Sequence, residues 1–206
     1  MKRILLTLTV FLAGLSVIAP DINAQTKSGG GAFQDRMDAW HKDMAEFRAR
    51  SQHDRELRDL ADSLAGVQAM AAVRNQDFVL EANQVTFRNG MTTFVNSNTN
   101  FISVKGKRAV VQISPSNFAS GPNGVGGVTV DGMITSQQTM TDKKGRVTYT
   151  MNVMGVGINA QIEIYMVPGS NNASATIYPN FNSNTVWIEG NIVPYENSDV
   201  IDGSSL

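Results

Sequence analysis

The sequence predicts a mainly β protein, an antiparallel meander forming a sandwich or partly closed barrel of about nine strands, preceded by one or two amphipathic helices. Three observations predict it. From Asn75 onward apolar residues recur with period two nearly to the end of the chain, short turn signals separate the runs, and no helix-length pattern interrupts them. Consecutive hairpins without crossover helices imply antiparallel pairing and exclude an α/β sheet. The pattern alone leaves sandwich and barrel as open alternatives.

The start of the chain reads as an export signal. Lys2 and Arg3 precede the apolar stretch Ile4 to Ile18, and the polar turn Pro20-Asp21-Ile22-Asn23-Ala24 ends it, which predicts a signal peptide over 1–24 cleaved before Gln25. The stretch is shorter than the roughly 20 residues of a membrane span. The chain has no cysteine, so there is no thiol to carry a lipid, form a disulfide or act as a thiolate nucleophile. A soluble periplasmic or secreted product is therefore expected, with roughly 130 residues of β domain sufficient for a core. Without Lys2, Arg3 and Asp21 the mature chain carries 15 basic and 17 acidic residues. That balance gives no reason to expect nucleic acid as a partner. No later apolar run reaches membrane-spanning length.

Residues 25–32, with Gly29, Gly30 and Gly31 in succession, predict a flexible leader. A helical segment over 33–73 follows. Phe33, Met37, Trp40, Met44 and Phe47 recur at spacings of 4, 3, 4 and 3 with charged residues on the other faces. The stripe lapses between Arg48 and Glu56, and Leu57, Leu60, Leu64, Val67 and Ala71 restart it in a new register, which predicts a second helix or a bend. Acids matched by Arg and Lys make a solvated face with weak ion pairs.

The β domain is read over 74–206. Asp77 to Phe87 is a strand, Asn89-Gly90 a tight turn in which both residues tolerate positive φ, and Met91 to Val95 its antiparallel continuation. Asn100 to Val104 and Ala109 to Ser114 form a hairpin around Lys105-Gly106-Lys107-Arg108. Val128 to Thr139 and Arg146 to Val153 flank the charged turn Asp142-Lys143-Lys144-Gly145. In the second of these, Val147, Tyr149, Met151 and Val153 alternate with polar residues, as do Ile158, Ala160, Ile162, Ile164 and Met166 in the next strand. Ala173 to Tyr178 and Thr185 to Val193 complete the set.

The helix running into Asp77-Phe78-Val79-Leu80-Glu81-Ala82-Asn83, then Asn100-Phe101-Ile102-Ser103-Val104 and Val110-Val111-Gln112-Ile113, the glycine-rich Gly124 to Val128, and the closing Gly190-Asn191-Ile192-Val193-Pro194 are found in this order. The stretch from about Leu64 to Gly203 thereby resembles a bacterial domain-of-unknown-function family, numbered 4251, of exported proteins. The resemblance implies an exported β-rich domain and carries no catalytic residue, ligand or mechanism.

Chemistry is sparse. His41 and His53 both lie in the helical segment, twelve residues apart, which fails the i, i+4 spacing of a two-histidine metal site and leaves a Ser-His-acid triad without a nearby base. Glu81, Asp131, Glu163 and Glu189 are the strand acids from which a carboxylate pair could be drawn. Glu81 is placed on a mixed face with Val79, Asn83 and Val85, and Glu163 on the polar face with Asn159 and Gln161. Gly121 to Gly127 lacks the following helix and lysine of a phosphate loop. Asn180, Asn182 and Asn184 lack the carboxylates of a calcium loop. No catalytic, cofactor-binding or metal residue is assigned, and no cofactor.

Binding has more support. Met91, Met133, Met140, Met151, Met154 and Met166 offer adaptable apolar contacts or ordinary core filling. Trp187, Tyr149, Tyr165, Tyr178 and Tyr195 suit carbohydrate stacking where two or more share an exposed face, and Trp187 is out of phase with Val186 and Ile188. The candidate ligand or partner contacts are Trp40, Phe47, Met151, Met166 and Trp187. The leading reading is an exported, non-enzymatic binding or interaction module for an apolar small molecule, a glycan or an envelope protein. The alternatives are a scaffold acting through its N-terminal helix, on a partner or a second copy, and a carboxylate-dependent hydrolase outside the cytoplasm.

Overall fold

A computed structural model of the chain describes residues 29–114, 128–155, 158–179 and 185–200. The signal segment, the glycine-rich Gly121 to Gly127 and the Asn180 to Asn184 triplet lie outside the described residues. The chain divides into two compact units, Met1–Ser51 and Gln52–Leu206. Of the one or two helices expected, a single one forms, α1 (Gly29–Asn75). The stretch from Arg48 to Glu56 contains neither Gly nor Pro, so the backbone continues while the apolar stripe changes face. The glycines at 29–31, read as leader, form the first turn of the helix.

In the first unit Phe33, Trp40 and Phe47 are exposed, and Trp40 meets His41 edge-on at 5.0 Å between ring centres. The apolar stripe here is unburied rather than part of a core. In the second unit Ala69, Ala72 and Val73 are buried with the β core, and Gly66 lies so close to the Ser170 backbone that a Cβ there would sit 2.9 Å from its nitrogen. The helix stops at Gln76, whose positive φ of 57° turns the chain while its carbonyl accepts from the Gly106 amide at 2.7 Å.

Nine strands follow: β1 (Asp77–Phe87), β2 (Thr92–Phe94), β3 (Phe101–Lys105), β4 (Arg108–Ile113), β5 (Val128–Thr141), β6 (Val147–Gly155), β7 (Ile158–Met166), β8 (Asn172–Pro179) and β9 (Val186–Pro194). Consecutive strands from β3 to β9 pair antiparallel, β1 pairs with β3, and β9 returns to β1. This is a closed eight-strand barrel, with β2 added alongside the second half of β1. Of the two closures the period allowed, the barrel is realised, and it is closed fully.

Eight strands enclose a space that side chains can fill. Phe78, Leu80, Ile102, Tyr149, Met151, Ile162, Ile164, Ile188 and Ile192 fill it, each 1 % exposed or less. Phe78 and Tyr149 meet edge to face at 5.5 Å, and the Tyr149 hydroxyl donates to Gln137 Oε1 at 2.7 Å. Burial pushes the Tyr149 phenol up to about 12. Outside the barrel, Val79, Phe101 and Val110 form a second apolar cluster beneath Val193, Tyr195 and Val200 of the C-terminal segment.

A β-bulge breaks the register of β1 against β9 between Ala82 and Gln84. It shifts the phase of β1, so that Phe78, Leu80 and Ala82 point inward before it and Val85 points inward after it. The single mixed face expected for Val79, Glu81, Asn83 and Val85 is therefore split. Val79 lies in the outer cluster, Val85 in the barrel core.

Candidate functional site

The outward phase of β7, β8 and β9 builds the most ligand-like surface of the β domain. Because Ile162, Ile164, Ile177, Ile188 and Ile192 must point inward, the intervening residues of these strands are turned to solvent. The register then fixes their neighbours. Tyr165 pairs with Ser174, and Ser174 with Glu189, giving one row across three strands. Glu163, Thr176 and Trp187 make the next row, and Gln161 and Tyr178 a third.

Tyr165, Tyr178 and Trp187 are 36 %, 43 % and 42 % exposed, large values for aromatic side chains on consecutive strands. Strands about 4.8 Å apart and residues about 3.4 Å apart put Trp187 and Tyr178 on a diagonal of roughly 8 Å, and Trp187 and Tyr165 roughly 12 Å apart at the backbone.

At the first row the surface is concave. A groove of about 370 Å³ is walled by Tyr165, Val167, Asn172, Ser174, Glu189 and, from β1, Asn83. This volume falls at the lower end of small-molecule sites, roughly 300 to 1,000 Å³. Asn83 is the residue the bulge leaves over, exposed beside Gly190, which also lines the groove. Gln161 Nε2 donates to Glu163 Oε1 at 3.0 Å, so that carboxylate is held along its own strand.

The electrostatics are one-sided. β7, β8 and β9 contain Glu163 and Glu189 and no Lys or Arg, and no basic residue occurs in the sequence after Arg146. Arg146, just ahead of β6, is held by Asp142 at 2.5 Å, and its pKa is raised by that hydrogen bond and by Tyr165.

Two other grooves are shallower in chemistry. One of about 310 Å³ lies between the end of α1 and the C-terminal segment, with Gln68, Asn75, Asp77 and Glu196 in its wall. The other, of about 90 Å³, lies by Ser103 and Tyr195, where Lys105 Nζ stands 4.4 Å from the centre of the Tyr195 ring.

The residues singled out from the sequence are not brought together. Trp187 faces outward as its phase required. Met151 and Met166 are in the barrel core, at 0 % and 2 % exposure, whereas Met91, Met133, Met140 and Met154 are exposed, so the methionines share no wall. Tyr149 is interior and Tyr195 sits in the short 3₁₀ turn after β9, which leaves Tyr165, Tyr178 and Trp187 as the aromatics that share a face. Trp40 and Phe47 lie on the first unit's helix. Asn83, Ser174 and Glu189 were missed as a group. Their signal was the run of polar residues at outward positions of strands that lack any cation.

Glu81 and Asp131 do not pair. Ser198 Oγ donates to Glu81 Oε1 at 2.6 Å, and Arg108 clamps Asp131 through Nε at 2.9 Å and Nη2 at 2.6 Å. Glu81 and Asp131 stand three strands apart, on β1 and β5. Among the described residues no three His, Asp or Glu gather where a metal could bind. Nor, among them, is any helix long and apolar enough to cross a membrane.

The hydrogen bonds from Arg108 hold the Asp131 carboxyl below its ordinary value against the opposing effect of burial. A depressed carboxylate stabilises the fold above the unfolded pKa, near 3.9, and loses that contribution as pH falls through the lower folded value. Asp131→Asn is therefore expected to cost roughly 0.5 kcal/mol at pH 7, as for a partly exposed pair. The difference should shrink as pH falls through the lowered folded value in paired urea titrations; a deficit independent of pH would assign the cost to packing.

Comparison with known proteins bears on the fold. No curated protein matches the chain. A solved relative, the crystal structure of a DUF4251 family protein from Bacteroides eggerthii DSM 20697, is 48% identical, with 68% of this chain and 95% of that chain covered and a TM-score of 0.60. The profile of the family described as "Domain of unknown function (DUF4251)" matches residues 62–192, the end of α1 and the barrel through most of β9. The helix-to-barrel unit described above is thus the shared part, and the chain belongs to the DUF4251 family.

Proposed function

We propose that this chain is an exported, non-enzymatic binding module that takes its ligand on the outer face of β7, β8 and β9. The observation that carries the reading is the exposure of Tyr165, Tyr178 and Trp187 on consecutive strands beside a groove of mixed lining. Export rests on the N-terminal pattern Lys2-Arg3 followed by Ile4 to Ile18. Aromatic side chains offer large contact area at small entropic cost, and three partly exposed ones on a shared face leave apolar area for a ligand to cover. An internal ligand is less well supported, because the barrel is filled by its own side chains.

Native mass spectrometry of the full chain, purified from its own envelope, tests this. A co-purified ligand is expected, and Trp187→Ala should lower its occupancy at least tenfold with the melting temperature unchanged. A ligand retained in full by Trp187→Ala, or a bare protein, overturns the reading.

A second reading has one observation of its own, the unburied stripe of Phe33, Met37, Trp40 and Phe47. In it the helix docks on a partner or a second copy, and deleting residues 25–50 abolishes association.

A further inference from the structure

We propose that the groove walled by Tyr165, Asn83, Ser174 and Glu189, extended by Trp187 and Tyr178, is a binding site for a neutral oligosaccharide. The inference rests on the outer-face reading above and names the ligand class.

A pyranose ring presents two kinds of surface. Its C–H faces are apolar and pack flat on aromatic rings, whereas its rim of hydroxyls needs donors and acceptors in the same plane. The face supplies both in alternation. Tyr165 and Trp187 stand on rows separated by about two residue lengths, with Ser174, Thr176, Glu163 and Glu189 between and beside them. Glu189 is an acceptor when ionised, Asn83 and Asn172 each offer a carbonyl and an amide, and the serine and threonine hydroxyls can do either.

Charge narrows the sugar. The three strands carry two carboxylates and no cation, and the Arg146 guanidinium, which reaches Tyr165 at the groove's edge, is paired with Asp142. Sulfated, uronic or phosphorylated glycans would meet the Glu163 and Glu189 carboxylates, while Arg146 already shares its charge with Asp142, so an uncharged chain is favoured. The distance from Tyr165 to Trp187, roughly 12 Å at the backbone, exceeds a single pyranose ring and implies contact with more than one sugar.

The test is calorimetric titration of the full chain with neutral oligosaccharides (xylo-, manno-, malto- and cello-oligomers of two to six units), with polygalacturonate as the anionic probe and palmitate as the apolar one. Binding is expected for a neutral series, strengthening with length beyond the disaccharide, and absent for polygalacturonate. Tyr165→Ala and Trp187→Ala should each weaken it at least tenfold. Glu189→Gln, which keeps the shape and removes an acceptor, should weaken it about fivefold. Failure of every neutral series, or preference for polygalacturonate, overturns the glycan assignment. If palmitate instead binds and Trp187→Ala abolishes it, the outer-face reading stands and the glycan assignment falls. Neutral glycan binding that survives both aromatic substitutions overturns the site itself.

Discussion

Gly190→Ala is expected to destabilise the β domain by more than about 3 kcal/mol. Gly190 faces Ala82 across the pairing of β9 with β1, beside the Asn83 bulge. A Cβ there would press into the Glu81 carbonyl oxygen and lie 2.8 Å from its carbon and 2.9 Å from the Ala82 Cα. These are backbone atoms of the neighbouring strand, so no rotamer change relieves the clash and β1 must part from β9. That pairing is the one that turns an open sheet into a barrel. Urea unfolding followed by circular dichroism should show the loss as a lower midpoint; an unchanged midpoint would mean that the strands separate there at little cost.

Phe78→Ala should cost about 3 to 5 kcal/mol, the range for emptying a large core site. Phe78 has no exposed surface and meets Tyr149 at 90° between ring planes. Deleting the ring leaves Tyr149 without its edge-to-face partner in a wall of β-strand backbone that cannot collapse to fill the gap. Phe78→Leu, which keeps most of the volume, should lose about half as much. A loss below about 1 kcal/mol for Phe78→Ala in thermal and urea unfolding would show that the barrel interior repacks.

Strand alternation was most readable in strands such as β6 that are buried on one face only. Val147, Tyr149, Met151 and Val153 point inward and their partners outward, as the period required. Closure was not readable, because it depends on which strand β1 meets, and nothing within β1 or β9 names its partner. The bulge at Asn83 was hidden for a related reason. Inserting one residue flips the inward phase without changing composition, so Val85 reads as a neighbour of Val79 until the pairing with β9 is known.

Whether the helical segment is one helix or two was left open by the sequence, and it is one. A change in the apolar stripe is not a break in the hydrogen bonds of the helix: residues 48–56 contain neither Gly nor Pro, and Leu57, Leu60, Leu64 and Val67 of the restarted stripe are exposed like the first. The candidate site was legible only in part. Trp187 declared its direction by phase, but its grouping with Tyr165 and Tyr178 needed the register of β7 to β9, and the part played by Asn83 needed the bulge.

The seam between β1 and β9 joins segments roughly a hundred residues apart in the chain. Loop-closure entropy makes such a contact late to form, and the strands between cannot satisfy the seam's backbone groups on their own. During synthesis, therefore, Phe78 and Leu80 have no lasting shelter until the ninth strand exists. Whatever handles the nascent chain before then handles a curled sheet with two unpaired edges, the form of a β protein most prone to pair with its neighbours.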